Sequence, residues 1–273
     1  MPGMAVTPIE KISPRVEVMI GTGVTSLIVF GIPKNRDSRG SSAFDRMGVV
    51  QRAVREIKAS FGSSVNVITD VCVCQYNKSG HCGIVFGGGV DNDITLRVLT
   101  QIASSHVEAG ADVVAPSSMM DGQVRAIKSA LEGYRKTMIL SYSAKHASSL
   151  YSPFRSAAFA KAKSRLDKSS YQVSYANPRQ VLLEIETDIN EGADMVMIKP
   201  ALTYLDLVRM VKDKFSYPVA VQNVSGEYAM IKAAARMGWL DENRTMWETL
   251  TAIKRAGADL ILTYYAKEAA RAL

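Results

Sequence analysis

Cysteine is scarce: three residues in a chain of 273, an odd number that leaves no closed disulfide framework. Long apolar runs are missing as well. The longest uncharged stretch, residues 18–33, is 16 residues and is interrupted by Gly21, Thr22, Gly23, Thr25, Ser26 and Gly31, whereas a membrane-spanning helix needs about 20 mostly apolar residues. Residues 1–12 hold no basic segment followed by an apolar one, so no secretory signal is read and a cytoplasmic location is the default expectation. Neither G-x-G-x-x-G nor G-x-x-x-x-G-K-[ST] follows any predicted strand, which counts against a nucleotide-binding fold. Aromatic residues make up only 7% and form no RNP-type motif, and there is no zinc-finger spacing or arginine-rich block. The net charge of +7 (33 basic against 26 acidic residues) is spread over nearly every predicted helix, which favours a small anionic substrate over a nucleic acid. At 47% hydrophobic and 22% charged residues, the chain is too apolar to be disordered.

Short β-branched or apolar runs recur at 27–30, 65–69, 112–115, 137–140, 195–198, 219–221 and 259–262. Between them, apolar residues three to four apart predict helices such as 47–59, 94–109, 123–131, 179–191, 204–214 and 228–237. Strands alternating with helices, the strands continuously apolar, imply a parallel sheet covered by helices. One junction occurs three times: Gly-Ala-Asp at 110–112, 192–194 and 257–259, each between a helix and a strand. The glycine suits the turn past a helix end, and its repetition favours a (β/α) barrel over a doubly wound sheet. Seven strands are predicted where a closed (β/α)8 barrel has eight, and the absent one should precede a helix at 9–20. No linker divides the chain, so residues 1–273 are expected to form a single catalytic barrel.

All three cysteines fall in one loop after a strand, as Cys72-x-Cys74-x7-Cys82. Thiolates at such spacing converge on zinc, because a soft tetrahedral cation neutralises them, and three protein ligands leave a fourth position open. His81 is either a further ligand or a plain loop residue. Lys199 ends the run Met195-Val-Met-Ile198, and Lys145 lies just past another strand, so both are directed at the face where barrels hold their sites. Two lysines at one mouth are expected to depress each other's pKa, and a neutral amine forms a Schiff base with a ketone. Arg155 offers a bidentate carboxylate contact.

These residues belong to longer blocks: D-V-C-V-C-Q-Y-N-K-S-G-H-C-G (70–83), V-A-P-S-S-M-M-D-G (114–122), S-A-K-H-A-S-S-L-Y-S-P-F-R (143–155), E-G-A-D-M-V-M-I-K-P (191–200), V-S-G-E-Y-A-M-I-K-A-A-A (224–235) and A-G-A-D-L-I-L-T-Y-Y-A-K-E-A-A (256–270). With them the chain resembles the δ-aminolevulinic acid dehydratase (porphobilinogen synthase) family over essentially its whole length. The resemblance implies a TIM-type barrel with an N-terminal arm. It also implies a hydro-lyase that condenses two molecules of 5-aminolevulinate into porphobilinogen, in the synthesis of haem and other tetrapyrroles. By matching position, Lys199 would form the Schiff base with the first substrate, and Ser225 and Tyr264 would hold its carboxylate. Lys145 would serve the second substrate, with Arg155 on its carboxylate. Cys72, Cys74 and Cys82 would hold zinc, and Asp70 and Ser117 would be supporting polar residues. Glu184 matches a glutamate that binds allosteric magnesium, its alternative being an exposed helix carboxylate. The family also implies a homo-octamer.

Three departures stand out. Lys168 replaces the second carboxylate-binding arginine, keeping the charge but not the fork, with Arg165 the next candidate for that role. Ser118 stands for the usual aspartate, and Ser152 for glycine. Because the family's arm and first strand are not found before Met1, the sequence predicts a start upstream, a less stable open barrel and smaller assemblies than the octamer. The rival readings are a class I aldolase, which has no use for a three-thiolate loop, and an inactive paralogue with a binding or regulatory role.

Overall fold

In the computed structural model, which describes residues 1–158 and 166–273, the predicted alternation is realised as one curled sheet with helices outside it. Along the first half of the chain run α1 (Ile12–Ile20), β1 (Ser26–Val29), α2 (Val49–Phe61), β2 (Asn66–Val71), a small hairpin of β3 (Ile84–Phe86) and β4 (Gly89–Asp91), α3 (Asn92–Glu108), β5 (Val113–Pro116) and α4 (Gln123–Ala130). The second half adds β6 (Met138–Lys145), α5 (Ser152–Ala157), α6 (Pro178–Asn190), β7 (Met195–Lys199), α7 (Leu205–Lys214), β8 (Val219–Gln222), α8 (Ser225–Arg236), α9 (Glu242–Ala256), β9 (Leu260–Leu262) and α10 (Ala266–Ala270). Seven strands pair in the order β1-β2-β5-β6-β7-β8-β9, all parallel. Among the described residues β1 and β9 do not pair with one another. They nonetheless pack on one interior cluster: Ile28 of β1 and Leu262 of β9 both lie against Ile68, Val113, Ala115, Leu140, Tyr142, Met197 and Ala220. The sheet therefore curls into an open barrel. The opposite faces of the strands, through Val114, Ile139, Val196, Ile198, Val219 and Val221, pack under the helices.

The recurring junction has a double explanation. Gly110, Gly192 and Gly257 take φ of +107°, +99° and +121°, values that side chains rarely adopt. The aspartate two residues on accepts a backbone N–H from the neighbouring strand: Asp112 from Val67 (2.7 Å), Asp194 from Ile139 (2.7 Å) and Asp259 from Val219 (2.8 Å). Each junction thus turns the chain out of a helix and pins the adjacent strand at its amino-terminal end.

Strand β6 carries the irregularity that matters for the site. Its pairing with β7 shifts register between Ser141 and Ala144. Leu140 and Tyr142 face the interior, Ala144 packs in the outer cluster, and Lys145 again points inward. Strict alternation would have turned Lys145 towards the helices; the bulge re-aims it. Lys145 accordingly lies within the strand, not beyond it as the sequence suggested, and pairs directly with Lys199 in register.

Candidate active site

Above the apolar interior cluster, the next inward positions are polar. Asp70 follows Ile68 on β2, Lys199 follows Met197 on β7, and Gln222 follows Ala220 on β8. With Lys145 they floor a cavity at the carboxyl-terminal ends of the strands, the face on which barrels carry their sites. Of the residues expected from sequence, Asp70, Cys74, Cys82, Ser117, Lys145, Arg155, Lys168, Lys199, Ser225 and Tyr264 all line this one cavity.

The two lysines diverge electrostatically. Burial, followed by the nearby Lys145 charge, pushes the Lys199 ammonium down to about 7, so a large share of it is neutral near pH 7. Its Nζ lies 5.1 Å from the ring centres of both Tyr142 and Tyr151. Burial would lower Lys145 too, but Cys82, Cys72, Cys74 and Asp70 outweigh it and hold its pKa above the usual lysine value. The expectation of mutual depression therefore holds for Lys199 alone, because anionic sulfur and carboxylate surround Lys145. Lys145 Nζ donates to the Ser117 carbonyl and sits 3.6 Å from Cys82 Sγ. Asp70 accepts from Ser117 Oγ (2.6 Å) and Gln75 Nε2 (3.3 Å), and burial raises its pKa.

Cys72, Cys74 and Cys82 are buried and free, with sulfur atoms within 4.8 Å of one another. Among the described residues they are the only group of metal-type donors so gathered. Hydrogen bonds from Cys72 and Cys74, then the charges of Lys145 and Lys168, hold the Cys82 thiol well below its usual pKa, whereas Cys74 is pushed well up by its two sulfur neighbours. One thiolate suppresses ionisation of the others, and a bound soft cation would relieve that repulsion. The donor set therefore fits a metal. His81 does not join it: its Nδ1 lies 3.1 Å from the Tyr171 hydroxyl, which also accepts the Cys82 N–H.

The carboxylate-binding candidates are placed less uniformly. Arg155 lies in the last turn of α5 with its guanidinium 5.2 Å from the Tyr151 ring centre. Lys168 is buried, 3.9 Å from Cys82 Sγ, and is no solvated side chain; Arg165 lies outside the described residues. Ser225 opens α8, but its hydroxyl already donates to the Leu150 carbonyl (3.2 Å) and accepts from the Phe154 N–H (3.1 Å). Gly226 makes that junction possible, since a Cβ there would lie 2.5 Å from the Leu150 carbonyl oxygen. Burial raises the Tyr264 hydroxyl to about 12, so it stays a proton donor. Ser118 is buried, with no partner for its hydroxyl among the described residues. Glu184 lies apart, in a second cavity with Asp121 and Asp188; it is half-buried and not an exposed helix carboxylate, and burial raises its pKa.

Gln75, Gln172 and Gln222 also line the cavity and were not singled out from sequence. Strand parity above Ala220 could have found Gln222; Gln75 and Gln172 sit on loops, where no periodicity points inward.

A parallel barrel with ionisable groups converging at its carboxyl-terminal mouth defines an enzyme of the (β/α)-barrel class. The chain belongs to the delta-aminolevulinic acid dehydratase family, whose model matches residues 1–272. It is 52% identical over 275 residues to the delta-aminolevulinic acid dehydratase of Archaeoglobus fulgidus, covering 100% of this chain and 84% of that one. It is 45% identical to that of Bacillus subtilis, covering 99% and 84%. The crystal structure of the Toxoplasma gondii enzyme in complex with its product porphobilinogen superposes with a TM-score of 0.97 at 39% identity, covering 100% of this chain and 79% of that one.

Proposed function

We propose that residues 1–273 form one catalytic unit that condenses two 5-aminolevulinate molecules into porphobilinogen with loss of two waters, the porphobilinogen synthase reaction of tetrapyrrole synthesis. The observation that carries this reading is the cross-strand pair Lys145 and Lys199, opening together on a cavity that also meets Cys74 and Cys82 of the three-thiol cluster. An aldolase using one lysine has no need of the second lysine or of the sulfur cluster.

The neutral Lys199 amine attacks the ketone carbon of the first substrate. The nitrogen loses protons as the carbonyl oxygen leaves as water, and a carbon–nitrogen double bond forms. Tyr264, protonated, donates to that substrate's carboxylate, and Ser225 does so if its hydroxyl turns from the Leu150 carbonyl. Lys145, cationic and anchored on Ser117, faces the second substrate, whose carboxylate meets Arg155 and the point charge of Lys168. Asp70, with its pKa raised by burial, is placed to take and return protons as carbon–carbon and carbon–nitrogen bonds form. Zinc is the metal we assign to Cys72, Cys74 and Cys82; bound there it would supply Lewis-acid polarisation of the second substrate. Magnesium, which usually keeps several waters and one or two protein carboxylates, would be held by Glu184 as an allosteric ion. The reduced thiols suit the cytoplasm, and the exposed Met237, Trp239 and Leu240 support a homo-oligomer. Colorimetric assay of porphobilinogen formation by purified protein, with zinc and after chelation, tests the reading. Zinc-dependent product supports it, and absence of product with zinc present refutes it.

A further inference from the structure

Gln222 ends β8 on the interior side of the barrel. Strands β7 and β8 pair Val196 with Val219, Met197 with Ala220 and Ile198 with Val221, so one further step sets Gln222 beside Lys199. Both side chains line the site cavity. Gln222 is 6% exposed, and its Oε1 has no hydrogen-bond partner among the described residues. A buried carboxamide oxygen left unpaired is costly, and such atoms call for an explanation.

The chemistry around it supplies one. Lys145, Lys168, Lys199, Arg155 and Tyr264 are donors, suited to carboxylates and a ketone oxygen. Among acceptors, the Asp70 carboxylate is already engaged by Ser117 and Gln75. Gln172, whose Oε1 is also unpaired among the described residues, has its amide 3.9 Å from Cys82 Sγ, whereas Gln222 is the one set beside Lys199. The substrate assigned above carries, one carbon from its ketone, an amino group that needs an acceptor close to the nitrogen of Lys199. Rotation about the last carbon–carbon bond of Gln222 presents its oxygen to the cavity.

We infer that Gln222 is a specificity-determining residue that accepts a hydrogen bond from the amino group of the 5-aminolevulinate joined to Lys199, an inference that rests on the Schiff-base reading of Lys199. A ketone lacking that amino group leaves Oε1 unpaired and is disfavoured. The test compares 5-aminolevulinate with levulinate, the same chain without the amine. It measures, in zinc-loaded protein, the concentration of each that half-saturates borohydride labelling of Lys199.

The wild type should prefer 5-aminolevulinate. Gln222→Leu should weaken 5-aminolevulinate roughly tenfold, the worth of a buried hydrogen bond, and leave levulinate within about twofold. Gln222→Glu keeps an acceptor and should retain or increase the preference, which decides the matter if the leucine variant does not fold. Equal weakening of both ketones in Gln222→Leu, no change in either, or loss of preference in Gln222→Glu would overturn the inference. Failure of both ketones to label Lys199 in the wild type would overturn the Schiff-base reading instead.

Discussion

Lys145 and Lys199 are direct partners across two strands, yet the first keeps its proton and the second sheds it near neutrality: sulfur and carboxylate outweigh burial at Lys145, whereas at Lys199 burial and the Lys145 charge outweigh the same anions. The identity of both lysines was legible in the strand-end motifs; this division was not, since it depends on the distance from Lys145 to Cys82. At the cysteines, Cys74→Ala removes one of three donors and should lower zinc content and activity together, read by elemental analysis alongside the assay. Full activity in that variant without bound metal would contradict the metal assignment. Lys168 is buried beside the same cluster. Lys168→Arg should leave activity intact or improve it by restoring a bidentate contact, while Lys168→Ala should mainly raise KM. Identical kinetics in all three proteins would show that the charge does not meet substrate.

Among elements, the Gly-Ala-Asp repeat was readable because it is local: the glycine conformations and the strand-pinning aspartates follow from three adjacent residues. The bulge in β6 was not, because it is defined only against β7. The β3–β4 hairpin and α5 were also missed; each is too short to show a period, with three residues per hairpin strand and six in the helix. The expected α-helix at 9–20 forms over Ile12–Ile20, with a 3₁₀ turn before it. Asp194 offers a test at one of these junctions. Asp194→Ala leaves the Ile139 N–H without its acceptor and should cost about 1–3 kcal/mol in denaturant unfolding. Because the contact lies at the amino-terminal end of the strands, far from the mouth, kcat should be unchanged. A large fall in kcat with unchanged stability would contradict that division of labour.

Over the whole molecule, burying Lys199 on the barrel interior is a cost to folding. Its pKa of about 7 lies below the 10.5 of an unperturbed lysine, so the unfolded chain binds more protons between those values. Stability from this group is complete above about 10.5, falls as pH drops and is lost by about 7. Lys199→Met should therefore abolish activity yet raise the melting temperature, and raise it more at pH 6 than at pH 9. A variant that melts below the wild type at both values would contradict the burial argument. The most direct test of the central claim, that Lys199 is the amine that captures 5-aminolevulinate, is borohydride reduction in the presence of substrate followed by peptide mass spectrometry across a pH series. A reduced adduct should form on the peptide carrying Lys199, with a labelling rate that climbs as pH rises through about 7. An adduct confined to Lys145, or none on either lysine in zinc-loaded protein, would contradict it.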